Sequence, residues 1–328
     1  MGTRRSFIKA MGSGAALSAL SFSPVEAAFR KNGTNSEKEI KIGIIGAENS
    51  HSYGISRLIN VDKKFPGVKV VAIWGETEAF AQRAKEKGNI PLIVKDPSEM
   101  MGMVNAVIVD HRHPKYHLKA ATPFVKAGIP TFVDKPFCYR LEEGEEFLKM
   151  ARKVGTPVSS FSTVAQSDST FDVARQVKAL PEYNNITRFG PADISSPYGG
   201  IFFYGVHLLQ PLLNMFGYDI KEVKINAEGK EGGASLIFED GTRANLIFST
   251  LHYGWETFVE TKQGIQRLEP QVQETDPPRC YKDMMELFRT GKEPRSFKNI
   301  LKCVAILEAL EKSVNNGQKW EKVEEVTI

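Results

Sequence analysis

Ile40-Lys41-Ile42-Gly43-Ile44-Ile45-Gly46 is a short β-branched run that ends in glycine, and four more such runs follow it, at 68–74, 90–94, 104–109 and 131–133. Stretches with helical spacing separate them, at 52–62, 78–87 and 115–127, the last closed by Gly128 as a helix cap. Strands this apolar are buried on both faces, the situation of a parallel sheet flanked by helices. The alternation therefore predicts an α/β chain whose residues 40–157 form a doubly wound parallel sheet. In such sheets ligands sit beyond the carboxyl ends of the strands, where strand order reverses. The loops after Gly46, Trp74, Val109 and Val133 are thus the ones that carry chemistry.

From residue 158 the pattern changes. A strand over 158–165 is expected to open a second domain, 158–328, with longer alternating runs at 223–227, 234–239, 243–248 and 257–261. Asp240-Gly241 supplies a hairpin turn between two of them. This predicts an α/β domain built on a large, mostly antiparallel open sheet, one face of it covered by a helix at 206–216. A short helix is expected at 173–180. The stretch 297–315 carries Ile300, Leu301, Val304, Leu307 and Leu310 on one face and is a core helix.

Composition excludes several classes. With 41% hydrophobic and 25% charged residues the chain is neither disordered nor a coiled coil, and a net charge of +4 leaves no basic footprint for nucleic acid. Cys138, Cys280 and Cys303 are odd in number and lack metal or redox spacing, so they frame neither a disulfide scaffold nor a zinc site. Residues 1–27 read as an address. Thr3-Arg4-Arg5-Ser6-Phe7-Ile8-Lys9, the mildly apolar stretch 10–22 and Val25-Glu26-Ala27 resemble a twin-arginine signal, which exports folded proteins to the periplasm or beyond. The stretch is shorter than the about 20 apolar residues of a membrane span, and no cysteine follows it to take a lipid, so no stable membrane anchor is expected. Residues 28–39 form a polar linker.

Lys41-Ile42-Gly43-Ile44-Ile45-Gly46 before a helix, Asn105-Ala106-Val107-Ile108-Val109, His117, Ala127-Gly128 and Asp134-Lys135-Pro136 together resemble the glucose-fructose oxidoreductase and inositol dehydrogenase family, Gfo/Idh/MocA. The resemblance continues through Gly199-Gly200, Gly205-Val206-His207, the run Tyr281 to Phe288, and Gly291-Lys292-Glu293-Pro294. It implies a Rossmann domain followed by an open-sheet substrate domain, a nicotinamide dinucleotide (NAD or NADP), a sugar or polyol substrate, and a homo-oligomer formed through the second sheet.

The resemblance also assigns roles. Lys135 and His207 fall on the catalytic positions, the histidine taking the hydroxyl proton and the lysine orienting the hydroxyl. The family pattern places an Asp four residues before that histidine, and often another three after it; here Phe203 and Gln210 stand there. The phosphate turn, usually G-x-G-x-x-G, reads Gly46-Ala47-Glu48-Asn49-Ser50-His51, so Glu48 and His51 replace two glycines. Ser50 or Ser52 is the expected cap of the following helix, whose N-terminus still offers N–H groups to an anion. Glu76, after the second strand, is placed for the adenosine ribose hydroxyls and would favour NAD over NADP; His111 and Asp134 complete the cofactor set.

Arg112, His113, His117, Tyr204 and His252 are candidate substrate contacts. Tyr198, Phe202, Phe203, Tyr204, His252, Tyr253 and Trp255 give the second domain an aromatic wall suited to sugar faces, with Phe202 and Tyr204 also candidates for the core. Arg112, Lys135, Arg175 and Arg188 could each meet an acidic group, and no spacing selects among them. His51, Asp110, His111, His113 and His117 leave two neighbouring strand ends and form an alternative metal set. Three functional readings stay open: an exported oxidoreductase, a lyase, epimerase or hydrolase working by acid-base or metal chemistry, and a sugar-binding descendant without catalysis.

Overall fold

The computed structural model describes residues 39–328. The expected export signal and nearly all of the expected linker lie outside the described residues. Among the described residues no helix is long and apolar enough to cross a membrane.

Strands β1 (Ile40–Ile45), β2 (Val68–Trp74), β3 (Leu92–Ile93), β4 (Ala106–Val109), β5 (Thr131–Val133) and β6 (Val158–Ser159) form a six-stranded parallel sheet in the order β3-β2-β1-β4-β5-β6. Ile42, Ile44 and Ile45 are fully buried, as a strand covered on both faces requires. Helices α1 (Ser50–Ser56), α2 (Glu78–Gly88), α3 (His117–Lys126) and α4 (Leu141–Val154) connect the strands. The helix expected at 52–62 is α1 followed by a π-helical segment, Arg57–Val61. Its cap is neither Ser50 nor Ser52 but Asn49, whose side chain accepts from the His51 N–H.

The second sheet contains β7 (Tyr183–Gly190), β8 (Ile220–Glu228), β9 (Glu231–Phe238), β10 (Arg243–Phe248), β11 (Glu256–Thr261), β12 (Gly264–Leu268) and β13 (Glu321–Lys322), in the order β12-β11-β7-β10-β9-β8-β13. Every pairing is antiparallel except that of β7 with β10. Helix α6 (Ile201–Phe216) is apolar almost all round and correspondingly buried, packing against α5 (Asp168–Ala179) and α8 (Phe297–Asn315) beneath this sheet.

The sequence boundary at 157/158 does not divide the layers. Val158 and Ser159 pair with Thr131 and Phe132, so this strand closes the parallel sheet instead of opening the second one. Helix α7 (Arg279–Thr290) also returns to the first sheet: Met284, Met285, Leu287 and Phe288 join Ile55, Ile59, Ile108 and Phe132 in one apolar cluster. The crossovers carry residues 159–165 along the crevice between the sheets, which decides what lines the site. The three cysteines are buried and not bonded to one another.

Candidate functional site

Strand order reverses between β1 and β4, and the loops that leave β1, β2, β4 and β5 gather there. Gly46 ends β1 with φ +109°, and a Cβ on it would lie 2.6 Å from the Asp110 carbonyl carbon, so the close approach of the β4 exit admits only glycine. Glu76, at the exit of β2, reaches back to the turn. Its Oε2 accepts from the backbone N–H groups of Ala47 and Glu48, at 2.9 and 3.0 Å, and its Oε1 lies 3.0 Å from His111 Nδ1. Burial opposes its ionisation, but these partners outweigh burial and hold its carboxyl below the usual range.

Glu48 points across the crevice. Its carboxylate accepts from the Tyr198 hydroxyl and lies 3.8 Å from Arg112 Nη1, while the Arg112 guanidinium donates to the same hydroxyl and sits 4.3 Å over the Tyr198 ring. The residue that replaces a glycine of the turn is thereby tied to the segment just before α6.

His51, in the first turn of α1, pairs with Asp134 at the end of β5, Nδ1 to Oδ2 3.0 Å. Asn49 Nδ2 lies 2.9 Å from Asp110 Oδ1, 3.1 Å from Asp134 Oδ2 and 3.4 Å from His51 Nδ1. Burial and the neighbouring Asp134 push Asp110 well above the usual carboxylate range. Burial would raise Asp134 as well, but His51 and Lys135 outweigh it and keep Asp134 ionised.

The alternative metal set does not assemble. Of His51, Asp110, His111, His113 and His117, only His51 and Asp110 meet, and Asp134 is the third member of their group. The hollow between these three is filled by the Asn49 amide nitrogen, which bonds both carboxylates. His111 is taken by Glu76. His113 caps the 3-10 turn Pro114–Tyr116 and packs edge-on to Tyr139, and burial together with Lys115 lowers its pKa to about 4. His117 is fully buried, Nδ1 against the Pro136 carbonyl and Nε2 against that of His111, so it ties the β4 exit to the Lys135-Pro136 turn. His113 and His117 therefore do not line the cavity described next. His252 is exposed and outside the cavity described next.

That cavity, of about 400 Å³, brings the turn and the catalytic candidates together: Glu48, Ser50, His51, Arg83, Arg112, Lys135, Tyr204 and His207 all line it. Lys135 is buried, with Nζ 5.4 Å above the Phe203 ring. Tyr204, a core candidate from sequence, is half-buried and lines the cavity, whereas Phe202 is fully buried. His207 has no carboxylate partner. Its Nδ1 lies 2.7 Å from Ser162 Oγ, and the Ser162 N–H donates to Gln210 Oε1. Gln210, in a position where the family often has Asp, thus fixes the residue that fixes His207. Burial first, then Lys135 and His51, hold the His207 pKa well below its ordinary value, so the imidazole is neutral at neutral pH.

Asn49, Ser162 and Arg83 were not legible as site residues. Arg83, on α2, donates to the carbonyls of Ala47 and Glu48 and keeps a buried Nε without a partner. A dinucleotide would meet positive charge from Arg83 and Arg112, which line the cavity in place of the open glycine backbone. Glu76 does not line it, and its oxygens already accept from Ala47 and Glu48 and face His111, so holding an adenosine ribose would require it to exchange these contacts. The Glu48 charge does not face a diphosphate bare, because Tyr198 and Arg112 engage it.

Residues 40–161 match the model of the Gfo/Idh/MocA family, described as an oxidoreductase family with an NAD-binding Rossmann fold. No curated protein matches the chain. Solved structures share its fold at low identity. GenD2 from gentamicin A biosynthesis, in complex with NAD, is 13% identical over 89% of this chain and 98% of that one, with a TM-score of 0.72. Myo-inositol 2-dehydrogenase from Lactobacillus plantarum is 19% identical over 88% and 100%, with a TM-score of 0.69. Apo scyllo-inositol dehydrogenase from Lactobacillus casei is 16% identical over 88% and 99%, with a TM-score of 0.71. The chain is thus similar to the Gfo/Idh/MocA family over its Rossmann segment, and it shares the two-sheet fold of these solved structures.

Proposed function

We propose that the protein is an oxidoreductase that moves hydride between a carbohydrate hydroxyl and a nicotinamide dinucleotide. The observation that carries this reading is that Lys135, in the loop after β5, and His207, on α6 beneath the second sheet, line one cavity with the turn after β1. Glu76 would hold the adenosine ribose, favouring NAD, and Arg83 and Arg112 would meet the diphosphate. When bound, the dinucleotide supplies the hydride acceptor. The chain's own residues do the proton chemistry. In the tautomer that donates Nδ1–H to Ser162 Oγ, neutral His207 presents Nε2 as the base for the substrate hydroxyl, and Lys135 Nζ orients that oxygen. Tyr204, Phe203, Tyr253 and Trp255 give the wall an apolar face for a sugar ring.

Two further parts of the reading rest on other features. The outer face of the second sheet carries half-buried Phe189, Ile237, Ile247 and Phe258, which suits a second copy of the chain. The twin-arginine pattern supports export to the periplasm.

Titration of the full chain with NAD and NADP, followed by a carbohydrate screen read at the reduced nicotinamide absorbance, tests the proposal. Binding of NAD and its reduction by a sugar or polyol are expected. Failure to bind either dinucleotide overturns the redox reading. It would favour acid-base chemistry without redox, for which one observation already speaks: the N–H groups of Ala47 and Glu48 are satisfied internally by Glu76.

A further inference from the structure

A second cavity, of about 510 Å³, adjoins the first; Thr163, Val164 and Trp255 line both. Arg188, on the interior strand β7, lines it from the inner face of the second sheet, the face that Ile186 and Gly190 share. The residue is only 2% exposed. Its Nη1 donates to Thr257 Oγ1 at 2.7 Å and its Nε is buried without a partner. Among the described residues no carboxylate pairs with it. Glu274 is the only acid lining this cavity, and both its oxygens accept the N–H groups of Asp168 and Ser169 at the start of α5.

An arginine buried without a counter-charge is costly, and burial alone lowers its pKa to about 10. Nothing in the packing makes it necessary. The nearest aromatic, Trp255, is 5.9 Å from the guanidinium carbon, and that ring lies where it does because Gly190 has no side chain: a Cβ there would be 2.4 Å from Trp255 Cε3. The same ring lies 5.8 Å from that of His207, so the guanidinium is one aromatic layer away from the proposed base.

We infer that Arg188 anchors a substrate carboxylate, which makes the substrate a sugar acid and not a neutral sugar. A carboxylate brought to this guanidinium supplies the missing counter-charge in a dry setting, where a planar, charge-assisted pair is strongest. The inference deepens the proposed function by naming a substrate class for the same crevice, and its test does not depend on hydride transfer.

Calorimetric titration of the full chain without dinucleotide, using D-glucuronate, D-galacturonate and D-gluconate against D-glucose, D-galactose and myo-inositol, reads it directly. At least one acid is expected to bind tenfold or more tightly than its neutral counterpart. Arg188→Met is expected to lose that preference while its melting temperature rises, since it removes an uncompensated charge; Arg188→Lys is expected to keep part of it. If Arg188→Met does not fold, the lysine variant and the salt dependence of acid binding to the unaltered protein carry the test. The inference is overturned if no acid binds, if acids and neutral sugars bind alike, if the folded methionine variant keeps the preference, or if D-glucose 6-phosphate binds and no carboxylic acid does. A protein that binds the acid but transfers no hydride leaves Arg188 in its role and removes the redox reading alone.

Discussion

His51 Nδ1 lies 3.0 Å from Asp134 Oδ2, joining the first turn of α1 to the end of β5 at a position where the family's phosphate turn has glycine. Asp134 is buried and held below the usual carboxylate range although burial opposes it. A depressed carboxyl contributes its stability in full above the ordinary value, near pH 4, and loses it as pH falls through the lower folded value. Asp134→Asn is therefore expected to cost about 2 kcal/mol at pH 7, the usual scale for a charged hydrogen bond, with the difference shrinking in acid. Thermal melts of both proteins from pH 3 to 8 check this.

Asp110 shows the opposite sign within the same cluster. Its pKa is raised by burial and by Asp134, so its contribution is complete below the ordinary carboxylate value and is lost as pH rises toward the folded one. Asp110→Asn keeps an oxygen for the Asn49 amide and removes the titration. Its melting temperature is expected to exceed that of the unaltered protein by a few degrees at pH 7 and to match it near pH 4. Equal melting at pH 7 would mean that Asp110 is ionised in the folded state.

His207 is kept neutral by burial and by the nearby charges of Lys135 and His51. For a base whose folded pKa is depressed, stability is complete above its ordinary value of about 6.5 and declines as pH falls below it. If His207 is the base, the acid limb of kcat lies well below pH 6.5. His207→Gln should lower kcat by roughly 10² to 10⁴, while Ser162→Ala, which frees Nδ1, should lower it less and shift that limb. A limb that stays in place in both variants would assign it to another group.

The architecture was legible because two periodicities dominate the sequence. The apolar runs ending at Gly46 and Val109 could only be buried parallel strands, and the alternation at 234–239 and 243–248 could only be a half-buried sheet. Strand β7 was missed because its interior reads Asn-Asn-Ile-Thr-Arg, polar residues that hide the alternation of Ile186, Arg188 and Gly190. The site was legible where a residue follows directly from a strand end, as Lys135 and Glu76 do. Ser162 and Asn49 were not, since their roles depend on contacts from residues 45 and 85 positions away. His117 misled for the same reason: spacing put it on the ligand edge of the sheet, and only the packing reveals that both its nitrogens face backbone carbonyls.

Glu48 decides how the turn treats a diphosphate. Two like charges at about 4 Å repel by roughly 1 kcal/mol in water and more in a drier site. In this protein the repulsion is reduced because Tyr198 donates to the carboxylate and Arg112 Nη1 lies 3.8 Å from it. Glu48→Gly should thus tighten NAD binding about five- to tenfold, from charge removal and from the backbone access a glycine restores. Tyr198→Phe should act the other way, leaving the carboxylate with Arg112 alone and weakening NAD about threefold, roughly the scale of one lost neutral-donor hydrogen bond. Calorimetry at two salt concentrations separates the contributions: the Glu48→Gly gain should shrink at high salt, since part of it is charge repulsion, and the Tyr198→Phe loss should not. Weaker NAD binding by Glu48→Gly would show instead that the carboxylate holds Arg112 in place for the diphosphate, making Glu48 a positioning residue and not an obstacle.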